Sequence, residues 1–397
     1  MPALEEKIDS FSLNRKVRIG IIGGGQLGKM IAAEAKRMAI HVVIIDPSPD
    51  CPASGVADEQ IVADFKNDEA IRELGRKVDF ITFEIELANS KALHELEASG
   101  FPVRPRPAAL LTIQNKLRQK NFLRQNNIPV TDFAPVKSSE ELRQLCDQFG
   151  YPLMMKAAED SYDGRGNFLI RSARQIPDAI DYFGEKECFV EKFVKFRKEL
   201  SIMVARNPAG QIECFPLAHN IHENSILDTT LAPAGVPPPV ARKADLIARR
   251  TMAAFGSAGI FGVEMFWSYA GEILVNEVAP RPHNSGHYAN EACSVSQFEQ
   301  HLRCVLNLPL AKPKLLSPAA MVNILGPEGV DGSYSVTGLQ KSLAVPQTSL
   351  YIYGKSTSRP RRKLGHITAL GKTVREASTR ASNARAALKI IGIQEAG

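Results

Sequence analysis

The stretch GIFGVEMFWSYAGEILVNEVAP, residues 259–280, decides the fold of this 397-residue chain. Apolar, β-branched and aromatic runs flank Ser268-Tyr269-Ala270-Gly271, the pattern of a β-hairpin. Folding it about Tyr269–Gly271 sets Glu264 close to opposite Glu277. Val263, Met265, Val275 and Val278 mark a buried setting, where facing carboxylates repel unless a cation lies between them. Magnesium bridging ATP phosphates suits oxygen ligands of this kind; two solvated glutamates on an exposed edge are the alternative. Asn276 and Glu277 point to opposite faces of a regular strand, so both reach one ion only at a bulge or strand end.

Directly downstream lies Ala279-Pro280-Arg281-Pro282-His283-Asn284-Ser285-Gly286-His287. Two prolines restrict φ, and Arg281, His283 and Asn284 offer fixed donors beside a transferred phosphate. Arg281 can hold a planar anion such as bicarbonate by a bidentate fork; a bland proline-rich loop is the competing reading. Upstream, Lys156 in LMMKAA precedes Ser161-Tyr162-Asp163-Gly164-Arg165-Gly166-Asn167 and the strand NFLIRS. A lysine at a strand end with a glycine loop closing over it holds a triphosphate. Asp-Gly and Gly-Asn are also ordinary turn pairs.

Near the start, VRIGII (17–22) reads as a buried strand running into Gly23-Gly24-Gly25-Gln26-Leu27-Gly28, a helix over 29–38, and HVVIID ending at Asp46. This is a βαβ unit with a parallel sheet. VDFITFEIE (78–86), after the helical stretch 68–77, adds a strand, so residues 1–115 read as a doubly wound α/β domain. The glycine loop serves as a tight turn, a phosphate contact or, with Asp46 at a ribose, a dinucleotide site. Beyond it, helix and strand patterns alternate: a helix from Lys116, a helix in SQFEQHLRCVL, strands in SLYIYGK and HITALG, and a final helix over 374–390. His301 and Arg303 read as surface decoration of their helix, Trp267 as packing, and Phe193 and Phe196 as adenine-lining or core.

The length favours two or three domains. Six cysteines scattered singly point to reduced thiols rather than disulfides or zinc. The charged opening MPALEEKIDSFSLNRK lacks an apolar signal core, and no apolar run approaches the roughly 18 residues of a membrane span, so a cytoplasmic address is expected. A net charge of +6 suits phosphorylated metabolites as well as nucleic acid, and no nucleic-acid motif accompanies it.

Taken together, the segments resemble the ATP-grasp superfamily and, within it, the N5-carboxyaminoimidazole ribonucleotide synthetases. The resemblance runs through GGGQLGKM, VADEQIVADF, YDGRGNF, GIFGVEMF, NEVAPRPHNSGHY, SQFEQHLR, YGK and GHIT, in order over about the whole chain. YDGRGNF and GIFGVEMF are similar to the eukaryotic form, which in fungi is fused to a carboxylase domain; no second enzyme of that kind fits in these residues. The resemblance implies an α/β pre-ATP-grasp domain over 1–115, an α+β ATP-grasp domain over 116–313 and a small β-rich C-terminal domain over 314–397. It implies a purine-biosynthetic ligase in which ATP phosphorylates bicarbonate to carboxyphosphate, which carboxylates aminoimidazole ribonucleotide.

By the same resemblance, ATP meets Lys116, Lys156, the loop Tyr162, Asp163, Gly164, Arg165 and Gly166, the linker Glu191, Lys192, Phe193 and Val194, and Glu199, His222, Asn276 and Glu277. Magnesium falls to Glu264 and Glu277. The ribonucleotide falls to Gly25, Gln26, Leu27, Glu84, Tyr162, Lys355 and Arg362, with His283 and Asn284 beside it. Asp163 is the candidate to orient or deprotonate the attacking amine, Arg281 to hold carboxyphosphate, and Lys355 joins them as catalytic. A homodimer is implied, with possible association with the mutase or carboxylase of the next step, and no nucleic-acid or membrane partner. The pattern departs at Ala158, His219 and Leu87, where the family has a basic residue, glutamate and a polar residue. The rivals are a formate-dependent glycinamide ribonucleotide transformylase and a non-catalytic nucleotide-binding scaffold.

Overall fold

Apolar residues run without alternation through RIGII and HVVIID, and both become strands buried on two faces: β1 (Arg18–Ile22) and β2 (His41–Asp46). With β3 (Glu59–Val62) and β4 (Phe80–Phe83) they form a parallel sheet in the order β3-β2-β1-β4. The computed structural model describes residues 17–159 and 166–393. Helix Gln26–Arg37 covers one face, packing Ile31, Ala32 and Ala35 onto Ile19, Ile21, Val42 and Ile44. Ile71, Leu74 and Leu93, from helices Asp68–Lys77 and Ser90–Ala98, cover the other. The sheet is therefore doubly wound.

One of its covers comes from far along the chain. Helix Gln297–Leu306 sets Phe298, Leu302 and Val305 into the same cluster as β1. This corrects the surface reading of His301. Arg303 pairs with Glu299, but His301 is fully buried between two sheets. Its Nε2 lies 2.8 Å from Thr82 Oγ1, and its Nδ1 accepts from the Ile260 amide at 3.4 Å.

A second sheet, antiparallel in the order β5-β8-β6-β7, comprises β5 (Phe133–Val136), β6 (Leu153–Ala157), β7 (Asn167–Ile170) and β8 (Cys188–Lys192). The largest sheet begins with β9 (Phe196–Arg206), β10 (Ile212–Cys214), β11 (Ala218–Glu223), β12 (Ile226–Ala232), β13 (Gly259–Ser268) and β14 (Ile273–Ala279). It continues through β15 (Ala319–Leu325), β17 (Thr348–Ile352) and β18 (Lys363–Leu370), in the order β14-β13-β9-β11-β12-β15-β18-β17, with β10 on β9. The final helix stops at Ala386, short of the expected 390. Its apolar continuation forms β19 (Lys389–Gly392), paired with β16 (Tyr334–Thr337). All six cysteines are buried and free. Among the described residues, no helix is long and apolar enough to cross a membrane.

Candidate active site

Where the three sheets meet, a cavity of about 830 Å³ opens. The hairpin β13–β14 forms its floor. Glu264 pairs directly with Glu277, and the register then slips so that Met265 pairs with Val275, leaving Asn276 as the extra residue of a bulge. The bulge resolves the strand-parity problem, since Glu264, Asn276 and Glu277 all line the cavity.

These carboxylates differ in what faces them. Burial opposes ionisation of both. For Glu277 the Lys116 ammonium, 3.0 Å away, outweighs it and holds the carboxyl below its ordinary range. Among the described residues Glu264 has no such ammonium partner. Burial and the charge of Glu277 push it up to about 7. No lysine or arginine pairs with Glu264 among the described residues, and the hard oxygen donors of the two carboxylates suit Mg²⁺. Among the described residues there is no set of three or more His, Cys, Asp or Glu side chains able to cage an ion. Two carboxylates leave the remaining positions to phosphate oxygens and water, as Mg²⁺ sites usually do.

Above this floor lies a second buried ion group. Glu191, on β8, takes the ammonium groups of Lys120 (3.0 Å) and Lys156, and Thr131 donates to it at 3.1 Å. Burial works against its charge, but the two lysines win and hold the carboxyl at about 2. Lys156 also lies 3.4 Å from the Asn276 amide oxygen, which fixes it over the bulge. Next to it, Phe193, Val194, Met154 and Leu227 make an apolar wall, and Phe196 stacks on Phe266 with centroids 4.9 Å apart. Glu199 pairs with His222 at the rim of this slot.

At the other end, carboxylates fold onto the glycine loop. Asp46 accepts from the Gly24 amide at 2.8 Å, and Glu84 from the Gly25 amide at 2.6 Å. A Cβ at Gly25 would stand 2.6 Å from Glu84 Oε1, so any larger residue would have to displace that carboxylate. Two amides expected to be free for a phosphate are therefore already satisfied by acids. Positive charge comes from across the cavity, from Lys355, Arg362 and Lys363. Burial, then the neighbouring guanidinium of Arg362, lowers Lys355 to about 8, partly offset by Glu84. Lys29 ties the two sides together, donating to the carbonyls of Ile352 and Tyr353 at 3.2 and 3.1 Å, just before Lys355.

Between the two ends stands the loop after β14. Arg281 reaches Glu86 at 3.0 Å, while its buried Nε has no hydrogen-bond partner among the described residues. His283 Nδ1 lies 2.8 Å from Ser285 Oγ, and its Nε2 lies 3.8 Å from Glu264. The Asn284 amide is engaged with Asn323, exchanging hydrogen bonds of 3.1 and 2.6 Å.

The cavity thus gathers Gly25, Gln26, Leu27, Glu84, Lys116, Lys156 and the linker Glu191–Val194. It also gathers Glu199, His222, Glu264, Asn276, Glu277, Arg281, His283, Asn284, Lys355 and Arg362. Gly166 is not in its lining; its carbonyl accepts from the Ala157 amide. Tyr162, Asp163, Gly164 and Arg165 lie outside the described residues. Sequence reasoning missed Glu86 and Lys120. Lys120 follows Lys116 by one helical turn, a spacing that puts both on one face. At the family departures, Ala158 is buried beside Phe133 and Phe189, and Leu87 is exposed. Burial, with Lys198 nearby, lowers His219 to about 4.

Three family models match consecutive parts of the chain: the ribonucleotide synthetase preATP-grasp domain over 16–114, the ATP-grasp domain over 121–298 and the phosphoribosylaminoimidazole carboxylase C-terminal domain over 319–380. The N5-carboxyaminoimidazole ribonucleotide synthase of Bacillus subtilis is 41% identical over 351 residues, 88% of this chain and 90% of that protein. The phosphoribosylaminoimidazole carboxylase of Ogataea methanolica is 40% identical over 371 residues, 91% of this chain and 68% of that protein. The chain spans about two thirds of the length of such fungal relatives. A crystal structure of N5-carboxyaminoimidazole synthase from Aspergillus clavatus, in complex with ADP and aminoimidazole ribonucleotide, is 35% identical. It superposes with a TM-score of 0.87 over 94% of this chain and 98% of that one.

Proposed function

This chain belongs to the N5-carboxyaminoimidazole ribonucleotide synthetase family of ATP-grasp ligases, and from that premise we propose how its cavity works. ATP, bicarbonate and aminoimidazole ribonucleotide become ADP, phosphate and the N5-carboxylated nucleotide. Adenine enters the slot walled by Phe193, Val194 and Phe266, with Glu199 at the ribose. Lys116 and Lys156 hold the phosphates, and Glu191 keeps Lys156 aimed. Glu264 and Glu277 hold Mg²⁺, with Asn276 beside them. When bound, the ion neutralises charge that builds on the phosphate oxygens during transfer.

Bicarbonate oxygen attacks the γ-phosphorus of ATP, the bond to ADP breaks, and carboxyphosphate forms. Arg281 orients the planar bicarbonate and then the carboxyphosphate, and His283 caps them. Carboxyphosphate then gives carbon dioxide and phosphate within the cavity, and the amine captures the carbon. Glu84 and Asp46, folded onto the glycine loop, repel a phosphate and suit the ribose hydroxyls and the amine; Lys355 and Arg362 suit the substrate phosphate. Removal of the amine proton falls to Asp163, an assignment that the family resemblance alone supports.

The observation that carries this reading is the bulged Glu264–Glu277 pair lying under two lysines and beside the Arg281 loop in one cavity. ADP release in the presence of Mg²⁺ tests it. Release that needs both bicarbonate and aminoimidazole ribonucleotide upholds it, formate dependence moves the chain to the transformylase reading, and ATP binding without stimulated release favours a scaffold. A cytoplasmic homodimer that passes its product to the next mutase or carboxylase completes the proposal. Sedimentation at assay concentrations checks the dimer, and a monomer would remove it.

A further inference from the structure

Gln297 begins the helix that returns to the first sheet, and it is fully buried. Its amide grips the peptide of His283 on both sides: Oε1 accepts from the His283 N–H at 2.9 Å, and Nε2 donates to the His283 carbonyl at 2.9 Å. That geometry leaves no freedom to flip the amide, because the N–H needs an acceptor and the carbonyl a donor. The second Nε2 proton therefore faces His287 Nδ1, 3.0 Å away. Nδ1 must accept, so His287 carries its proton on Nε2. Its ring lies over His366 with centroids 4.5 Å apart, and His366 Nδ1 meets the Tyr353 hydroxyl at 2.9 Å, two residues before Lys355. The site is also built around the grip. A Cβ on Gly286 would stand 2.5 Å from Gln297 Oε1, and one on Gly262 would stand 2.8 Å from His283 Cβ.

We propose that Gln297 is a positioning residue for carboxyl transfer: it sets the height of the 281–287 loop over Glu264 and fixes the tautomer of His287, whose ring stacks on His366. The role rests on the reading of Arg281 and His283 as the clamp on carboxyphosphate. Gln297 itself touches no reacting atom. Without the amide, the His283 N–H loses its acceptor and the His283 carbonyl keeps only the Gly286 N–H at 2.9 Å, so the loop lifts from the bulge, while the adenine slot and the Glu191 lysines keep their partners. A misplacement of about 1 Å costs on the order of 10²-fold in rate. It also lets carboxyphosphate escape to water, so ATP hydrolysis uncouples from carboxylation.

The experiment compares wild type with Gln297→Met, Gln297→Glu and Arg281→Met, measuring ADP and carboxylated nucleotide separately and ATP affinity as a check on folding. Gln297→Met is expected to lower the carboxylation kcat about 10²-fold. ATP affinity and the KM for aminoimidazole ribonucleotide should stay within about twofold, with ADP formed in excess over product. Gln297→Glu keeps the shape but lacks the donors. Histidine ¹⁵N spectra of the wild type should show His287 as the Nε2–H form, and those of Gln297→Glu a shift of the proton to Nδ1. Should Gln297→Met not fold, the glutamate variant and the wild-type spectrum decide. An Nδ1–H signal in wild type overturns the proposal. Normal coupled turnover in Gln297→Met with a crippled Arg281→Met overturns the positioning alone; normal turnover in both overturns the clamp on which it rests.

Discussion

Replacing Glu264 by glutamine should make the empty protein more stable and the enzyme inactive. Glu264 is about three-quarters buried and faces Glu277 across the hairpin, and its carboxyl is raised from 4.5 to about 7, chiefly by burial. A carboxyl raised in the folded state favours its neutral form there. Its contribution to stability is therefore present below pH 4.5 and is lost as pH rises through 7. The full shift corresponds to a penalty on the order of 3 kcal/mol above pH 7. Glutamine removes the charge at constant shape. In scanning unfolding without nucleotide or metal, Glu264→Gln should melt a few degrees above wild type at pH 8, with the gap shrinking at pH 5. The same variant should lose at least ~10²-fold in turnover, about 2.7 kcal/mol of transition-state stabilisation, because one ligand of the ion is gone. A variant that melts below wild type at pH 8, or by an equal margin at both pH values, would refute the electrostatic reasoning.

Glu277→Gln removes the other ligand and leaves Lys116 unpaired; turnover should fall at least ~10²-fold in steady-state assays at saturating Mg²⁺, without the gain in melting temperature. Glu191→Gln strands two buried lysines and should cost about 3–5 kcal/mol in denaturant unfolding, as expected for a broken buried ion pair, with recovery when Lys120→Met is added. Lys355, lowered to about 8, must be protonated to meet a phosphate, so kcat/KM for aminoimidazole ribonucleotide should fall as pH rises through about 8, and Lys355→Arg should move that limb to higher pH.

Local patterns carried much of this site. The turn Ser268–Gly271 set the register of its hairpin, and register alone placed Glu264 opposite Glu277. Buried runs such as HVVIID announced the parallel sheet because a strand covered on both faces has no polar alternation. What the sequence hid depends on contacts between distant residues. His301 and Gln297 sit on a helix with ordinary amphipathic spacing, and only tertiary packing buries them, His301 between Thr82 and Ile260 and Gln297 against the 283–287 loop. Glu86 gains meaning from Arg281, and the acid caps on the glycine loop from Asp46 and Glu84, none of them sequence neighbours. The strand β9, which lies between β13 and β11, also went unread; half of it is flanked by charged residues that blur its pattern.

The central claim is that bicarbonate is phosphorylated before its carbon reaches the ribonucleotide. The most direct test is to run the reaction with ¹⁸O-labelled bicarbonate, Mg²⁺, ATP and aminoimidazole ribonucleotide, and to analyse the released phosphate by mass spectrometry. Transfer of one ¹⁸O atom into phosphate for each carboxylated product is expected from carboxyphosphate. Phosphate free of label, or label transfer that formate supports in place of bicarbonate, would contradict it.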